Sequence, residues 1–302
     1  MNIAQATKVS TREDGLSFYE SADGLVTICV ENKLASATLA LQGGHLIHWQ
    51  PAHAADPVFW LSKRARFGHG RSIRGGVPIC WPWFGAHPTN DKLAPHGFAR
   101  VMPWHLVESQ ALDNGATLLK LQILDTPAAQ QQWPHPSDLT LTIEVGSTLK
   151  MALATTNTGS QSMVIGEALH TYFQISDIEA IHIEGLNGVE YANKMSEFSR
   201  HVQEGDIRFS QEYDRVYLNT EASCTIVDPG LKRRIHIAKT GSHSTVVWTP
   251  GQVKAEELHD IGPGDDWRHM ICVESANALD NVLTVEPGQT HVLTVEYSTE
   301  AL

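Results

Sequence analysis

Apolar and polar residues alternate with a period of two along most of the chain. Leu139, Leu141, Ile143 and Val145 alternate with Thr140, Thr142 and Glu144, and Leu119, Leu121 and Ile123 alternate with Lys120 and Gln122. Successive side chains of a strand point to opposite faces, so the pattern predicts strands with one face buried. Leu149, Met151 and Leu153 resume the alternation after Gly146-Ser147, which predicts a hairpin with the run before it. Short β-branched runs recur at 222–227, 233–239, 244–249, 269–274, 281–286 and 290–297. Turn residues such as Asp228-Pro229-Gly230 and Glu286-Pro287-Gly288-Gln289 separate them. Helical periodicity is nearly absent. The best helix candidate is 253–259, with one further turn near 207–211. About fifteen strands without intervening helices predict an all-β domain of two large, curved, mostly antiparallel sheets packed face to face. The Gln/Pro-rich stretch 126–137 lies between two alternating runs and reads as a surface loop. No boundary or internal repeat interrupts the pattern, so residues 1–302 read as one domain, its core about 20–299.

Composition narrows the possible partners. A chain that is 42% hydrophobic and 19% charged can bury a sizeable core. Its net charge of −12 argues against nucleic acid or an anionic membrane as partner. The four cysteines are scattered without a CxxC pair, which fits half-buried free thiols in a reducing compartment, not a disulfide framework or a metal knuckle. The first fifteen residues lack the basic-then-apolar pattern of a leader, and no 18-residue apolar run follows. A cytoplasmic monomer is the expectation.

Residues 57–90 reverse the global sign. This window holds Lys63, Arg64, Arg66, Arg71 and Arg74 and no Asp or Glu. The guanidinium fork of arginine matches phosphate oxygens two at a time. Gly75-Gly76 allows either a ligand or another strand to approach closely. Trp81, Trp83 and Phe84 offer flat faces that suit a sugar ring or an ordinary core. Arg74 stands in an apolar context with no carboxylate adjacent in sequence, which marks it above the 63–66 cluster, whose simplest role is field and solubility. His96-Gly97-Phe98-Ala99-Arg100 adds a second His and Arg to the wall.

Candidate acid–base groups lie further along. His170 shares a strand face with Tyr172, and Glu274 ends the apolar run 270–273, a setting that raises a carboxylate's pKa and holds it rigidly. Asp214 is a third candidate, with local pairing to Arg215 as the plain alternative. His45 and His48, three apart, point to opposite faces of a strand and make no joint metal site. No Rossmann, P-loop, HExxH, EF-hand or GxSxG pattern occurs. Arginines, imidazole, carboxylate and aromatic faces together suit cofactor-free proton transfer on a phosphorylated sugar.

The run Ile73-Arg-Gly-Gly-Val-Pro-Ile-Cys-Trp-Pro-Trp-Phe-Gly85, followed by His96-Gly-Phe-Ala-Arg100, resembles the signature of the hexose-6-phosphate mutarotases, or glucose-6-phosphate 1-epimerases, a branch of the aldose 1-epimerase superfamily. The likeness extends from Leu39-Ala-Leu-Gln-Gly-Gly-His45 through Leu169-His-Thr-Tyr-Phe173 and Tyr213-Asp-Arg-Val-Tyr217 to Val273-Glu-Ser-Ala-Asn277, in the same order and spacing. The resemblance implies a β-supersandwich of the galactose-mutarotase type that needs neither metal nor nucleotide. It implies His170 as general acid and Glu274 as general base, with His96 and Asp214 binding the sugar. It also implies Arg74 and Arg100 on the phosphate, with Arg71 at a position often basic in relatives. The tryptophans at 81 and 83 depart slightly from the pattern. Two alternatives stay open: an epimerase for unphosphorylated aldoses, its arginines structural, and a non-catalytic carbohydrate-binding sandwich.

Overall fold

The computed structural model describes residues 6–11 and 15–302, so the reading of the first fifteen residues falls partly outside the described residues. Two eight-stranded sheets, a five-stranded meander and a two-stranded ribbon make up the β-structure. The first large sheet runs in the order His182–Glu184, Cys224–Asp228, Arg233–Thr240, Thr290–Ala301, Leu149–Asn157, Ser137–Val145, Thr117–Ile123 and Trp104–Ala111. The second runs Ser199–Val202, Glu190–Asn193, Tyr213–Tyr217, Ser244–Thr249, Met270–Asn277, Glu167–Leu169 and Ile79–Cys80. Tyr172–Gln174 is added on Met270–Asn277. Strand neighbours pair antiparallel throughout, and helices are few and short. The architecture is the all-β supersandwich that the alternation and the resemblance predict, with more strands than the sequence suggests.

The alternation is what joins the layers. Leu139, Leu141, Ile143, Val145, Leu149, Met151 and Leu153 are fully buried, and the hairpin forms in the expected register, Leu149 opposite Val145. They share one apolar cluster with Leu169, Phe173, Val247, Ile271 and Val273 of the second sheet. Each such side chain contributes about 1.5–3 kcal/mol when removed from water. With 271 and 273 turned to this core, the period of two turns 272 and 274 to the opposite face of the second sheet. That face carries the site.

Three local expectations change. The helix near 253–259 is Gly251–Glu257. At 207–211 there is no helical turn, because Ile207 pairs with Ile183 through both backbone bonds (3.0 and 2.9 Å). The stretch 126–137, read as a loop, contains the helix Pro127–Gln132, started by Thr126, whose Oγ1 accepts from Ala129 N at 3.2 Å, with proline in the first turn. No helix among the described residues is long and apolar enough to cross a membrane. All four cysteines are free, and Cys80, Cys224 and Cys272 are buried more deeply than expected.

Candidate active site

Strand pairing places the two acid–base candidates face to face. Leu169 is in register with Ser275 and Tyr172 with Cys272, which brackets His170 opposite Glu274. The ladder is interrupted at His170 and Thr171, where the His170 amide turns away to donate to Pro78 O (3.0 Å). Glu274 thus sits in the middle of its strand, not at the end as its sequence position suggested. His170 Nε2 lies 3.3 Å from Glu274 Oε1. The next row along the same face runs Tyr172, Cys272, Trp248, Asp214, read from consecutive pairings.

Aromatic packing fixes the imidazole. His170 stacks on Tyr172 with centroids 4.9 Å apart and planes 12° from parallel, while Trp248 meets it edge-on at 6.2 Å. Tyr172 in turn stacks on Trp60 at 5.9 Å. Burial works on both partners in opposite senses, since each charged form loses water. It drives the His170 pKa well below the usual imidazole value, helped by His96, Arg100 and Arg74. It drives the Glu274 pKa well above the carboxylate range, helped by Asp214 and opposed by Lys194 and Arg100. These opposite shifts favour a net-neutral pair, with one proton shared between the two, over separated charges. His170 Nδ1 and Glu274 Oε2 are buried without a hydrogen-bond partner, so the pair has unused capacity toward a ligand.

His96 closes the other side. Its ring centroid is 5.8 Å from that of His170 and 4.7 Å from that of Phe84. Burial, with Arg100, Lys194 and Arg74, lowers its pKa to about 3, so the ring is neutral. Gly85 N donates to His96 Nδ1 at 3.4 Å, which leaves the ring proton on Nε2 as a donor. The backbone of His96 is left-handed (φ 68°), a conformation costing a non-glycine residue about 1–3 kcal/mol. Gly97 follows at the same φ, pressed against Trp81. A Cβ there would lie 1.9 Å from the Trp81 carbonyl oxygen. The glycine is required because the chain crosses directly over the wall.

The Gly75-Gly76 pair shows which of its two possible uses applies. Their φ values are 117° and 61°, and an added Cβ would lie 2.5 Å from Trp60 O at the first and 2.3 Å from Leu46 O at the second. Neighbouring backbone, not ligand, fills the space. His45 Nε2 is 2.7 Å from Gly75 O and braces the same turn. The turn delivers Arg74 to the site. Arg74 Nη1 donates to Tyr172 Oη at 2.8 Å, and Nε lies 3.0 Å from Asp260 Oδ2. Burial disfavours this charge, but Tyr172 and Asp260 outweigh it and raise the pKa further, so Arg74 is cationic at every accessible pH.

The other candidates distribute unevenly. Arg100 donates through Nη2 to Pro95 O (2.7 Å), and its charge lowers the pKa values of both His96 and His170. Asp214 pairs with Lys194 Nζ at 2.9 Å instead of with Arg215, whose guanidinium covers the Tyr191 and Tyr213 rings at 4.3 and 4.2 Å. Burial raises the Asp214 pKa against the pull of Lys194. Arg71 lines a cavity of about 410 Å³ with Arg66, Ser72, Arg74, His259 and Asp260. Arg66 thus stands nearer the site than its demotion with Lys63 and Arg64 implied. Lys63 pairs with Asp266 at 3.1 Å, and Arg64 lies against Gly262. Trp81 and Trp83 are buried core, their indole N–H groups satisfied by Thr155 Oγ1 (3.0 Å) and Ala94 O (3.1 Å), so only Phe84 of the three aromatics reaches the site wall. Sequence reasoning missed Lys194, Trp248, Cys272 and Asp260. Cys272 and Trp248 were reachable from the period of two, once Glu274 was placed mid-strand. Lys194 and Asp260 carry no local signal.

An imidazole and a carboxyl group in close contact on the outer face of a supersandwich, ringed by aromatics and arginines, define a sugar-ring isomerase of the mutarotase kind. The aldose 1-epimerase profile matches residues 26–298, and the chain belongs to that family. A protein of Salmonella typhimurium strain LT2, provisionally named glucose-6-phosphate 1-epimerase, is 35% identical over 91% of this chain and 89% of its own. One from Escherichia coli K12 with the same provisional name is 34% identical over 89% of each chain. The crystal structure of a provisionally assigned mutarotase from Salmonella typhimurium superposes with a TM-score of 0.91 at 30% identity, covering 99% of this chain and 98% of that one. A galactose mutarotase-like protein from Clostridium acetobutylicum shares the fold at 12% identity, with a TM-score of 0.71 over 92% of this chain and 96% of that one.

Proposed function

We propose that the protein interconverts the α and β anomers of glucose 6-phosphate and related hexose 6-phosphates, acting as one domain of the cytoplasm over residues 1–302. The observation that carries the reading is the His170–Glu274 pair at 3.3 Å, with Arg74, Arg100 and Lys194 close enough to bias the electrostatics of its surroundings. Glu274 as carboxylate takes the proton of the anomeric hydroxyl, and His170 as imidazolium donates one to the ring oxygen. The pyranose opens to an aldehyde. Rotation about C1–C2 presents the other carbonyl face, and reclosure with the transfers reversed gives the opposite anomer. The site needs only to move the shared proton from one partner to the other, which the short cross-strand contact allows. His96 Nε2–H and Asp214 hold ring hydroxyls, and Arg74, Arg100 and Arg71 hold the phosphate.

The relatives' provisional names support the phosphosugar reading, as does the cluster of arginines in a chain of net charge −12. One observation favours the unphosphorylated alternative: Arg74 already has an internal anion in Asp260. Anomerisation rates of glucose, galactose, glucose 6-phosphate and galactose 6-phosphate, measured above the spontaneous rate, decide between them. Higher kcat/KM on the phosphorylated pair is the expected result, and equal rates on glucose and glucose 6-phosphate overturn it.

The buried pair also has a pH signature. A histidine pKa held far below 6.5 means that His170 stays uncharged in the free enzyme as pH falls through 6.5. The ring signals of His170 in an NMR titration, assigned by their loss in His170→Asn, should remain at neutral-imidazole values through that range. A titration midpoint near 6.5 contradicts the arrangement. The direct measurement is preferable to a rate profile, because a phosphate monoester itself titrates near pH ~6.

A further inference from the structure

The strands that carry the acid–base pair bring in a third side chain that ring opening does not use. Cys272 stands two residues before Glu274 on the same face, fully buried and in register with Tyr172. Its Sγ, a ring nitrogen of His170 and a carboxylate oxygen of Glu274 all lie within 4.8 Å of one another. Nitrogen, thiolate sulfur and carboxylate oxygen together form a donor set for a borderline-soft divalent cation, with three protein ligands and a fourth position open. The 3.3 Å between His170 Nε2 and Glu274 Oε1 matches the edge of such a tetrahedron, roughly 3.3–3.8 Å for bonds of the usual length. Ligation through Nε2 and Oε1 displaces the proton that these two atoms share, and Glu274 Oε2 and His170 Nδ1 are buried and unpartnered, so no further hydrogen bond of either side chain must break.

We propose that His170, Cys272 and Glu274 form an inhibitory site for a borderline-soft divalent cation such as Zn²⁺, which occupies the acid–base pair and excludes substrate. Binding exchanges two protons for the metal: the S–H bond of Cys272 breaks as an S–Zn bond forms, the proton shared by His170 and Glu274 is displaced from between them, and both protons leave to solvent. No oxidation state changes. The hard cation Mg²⁺, which prefers an all-oxygen octahedron, does not bind. Arg74, Arg100 and Lys194 face the same pair and oppose a cation, while Asp214 assists it. Those positive charges keep the affinity below that of a closed structural zinc site and make occupancy reversible.

The test uses chelator-stripped enzyme and two readouts. Co²⁺ serves as a spectroscopic stand-in, in a Cys29→Ser background because Cys29 is a partly exposed thiol. A near-ultraviolet thiolate-to-cobalt band is expected, and it should vanish on adding Cys272→Ser. In the anomerisation assay, Zn²⁺ should inhibit competitively with sugar and Mg²⁺ should not. Cys272→Ser should raise the Zn²⁺ concentration for half-inhibition by at least roughly 10–100-fold, the cost of losing a group that only supports a ligand. Absence of the cobalt band with Cys272 intact overturns the proposal, and that result does not depend on Cys272→Ser folding or on which sugar is the substrate. Zn²⁺ inhibition unchanged by Cys272→Ser overturns it equally.

Discussion

Glu274→Gln and His170→Asn are each expected to lower the enzymatic component of anomer interconversion by about 10²–10⁴-fold. The double variant should lose little beyond the worse single one, because the two groups pass one proton and act as a unit. Thermal stability should hold or rise in Glu274→Gln. The carboxylate is buried with Oε2 unpartnered, and an amide of the same shape carries no charge to desolvate. A stopped-flow assay starting from the pure α anomer, run beside a melting curve, separates lost chemistry from lost fold. Near-wild-type turnover in either single variant removes the acid–base assignment.

Arg74→Ala is expected to raise KM for glucose 6-phosphate by roughly 10–100-fold, the loss of charge-assisted hydrogen bonds to a phosphate. The fall in kcat should be smaller, since the phosphate is remote from the reacting carbon. The rate on glucose should barely change. The geometry adds a complication. Arg74 also neutralises Asp260 and holds the Tyr172 hydroxyl, so its removal leaves a half-buried carboxylate alone. Arg74→Ala combined with Asp260→Asn removes that second effect. If the combined variant regains phosphosugar affinity, Arg74 serves structure, and the phosphate contact belongs to Arg100 and Arg71. Equal losses on glucose and glucose 6-phosphate lead to the same conclusion.

Much of the fold was legible because its signal is local. Leu139, Leu141, Ile143 and Val145 announce their strand without reference to the rest of the chain, and so does the Gly146-Ser147 turn. The helix Pro127–Gln132 escaped because its Gln-rich body carries no apolar periodicity. Its Thr-Pro start is the cue the sequence does carry, but the Gln/Pro-rich composition of 126–137 points to a loop. His170 and Glu274 stand out as candidates from their own strand-like runs and take their roles as acid and base from the resemblance, and the register explains why sequence alone could not unite them. Each is an ordinary polar residue in an apolar run, and only the bracketing pairs Leu169–Ser275 and Tyr172–Cys272 bring them opposite. Gly75 and Gly76 show the opposite limit. Their sequence announces a close approach without naming the partner, which is the backbone of Trp60 and Leu46. Lys194 and Asp260 were invisible for a simpler reason: a charge in a single 3-10 turn or a loop discloses its partner only once the chain is folded.

The register that pairs His170 with Glu274 also sets when the site comes into being. The two strands are distant in sequence, so closing that ladder is among the costly, non-local steps of assembly. A nascent chain, or one opened at Met270–Asn277, has an imidazole and a carboxylate that titrate as in free peptides. Only the finished sheet strips their water and forces them to share a proton. Activity in this protein is therefore a reporter of completed topology, and partly folded species that still hold the hairpin at Ser137–Asn157 should be catalytically silent.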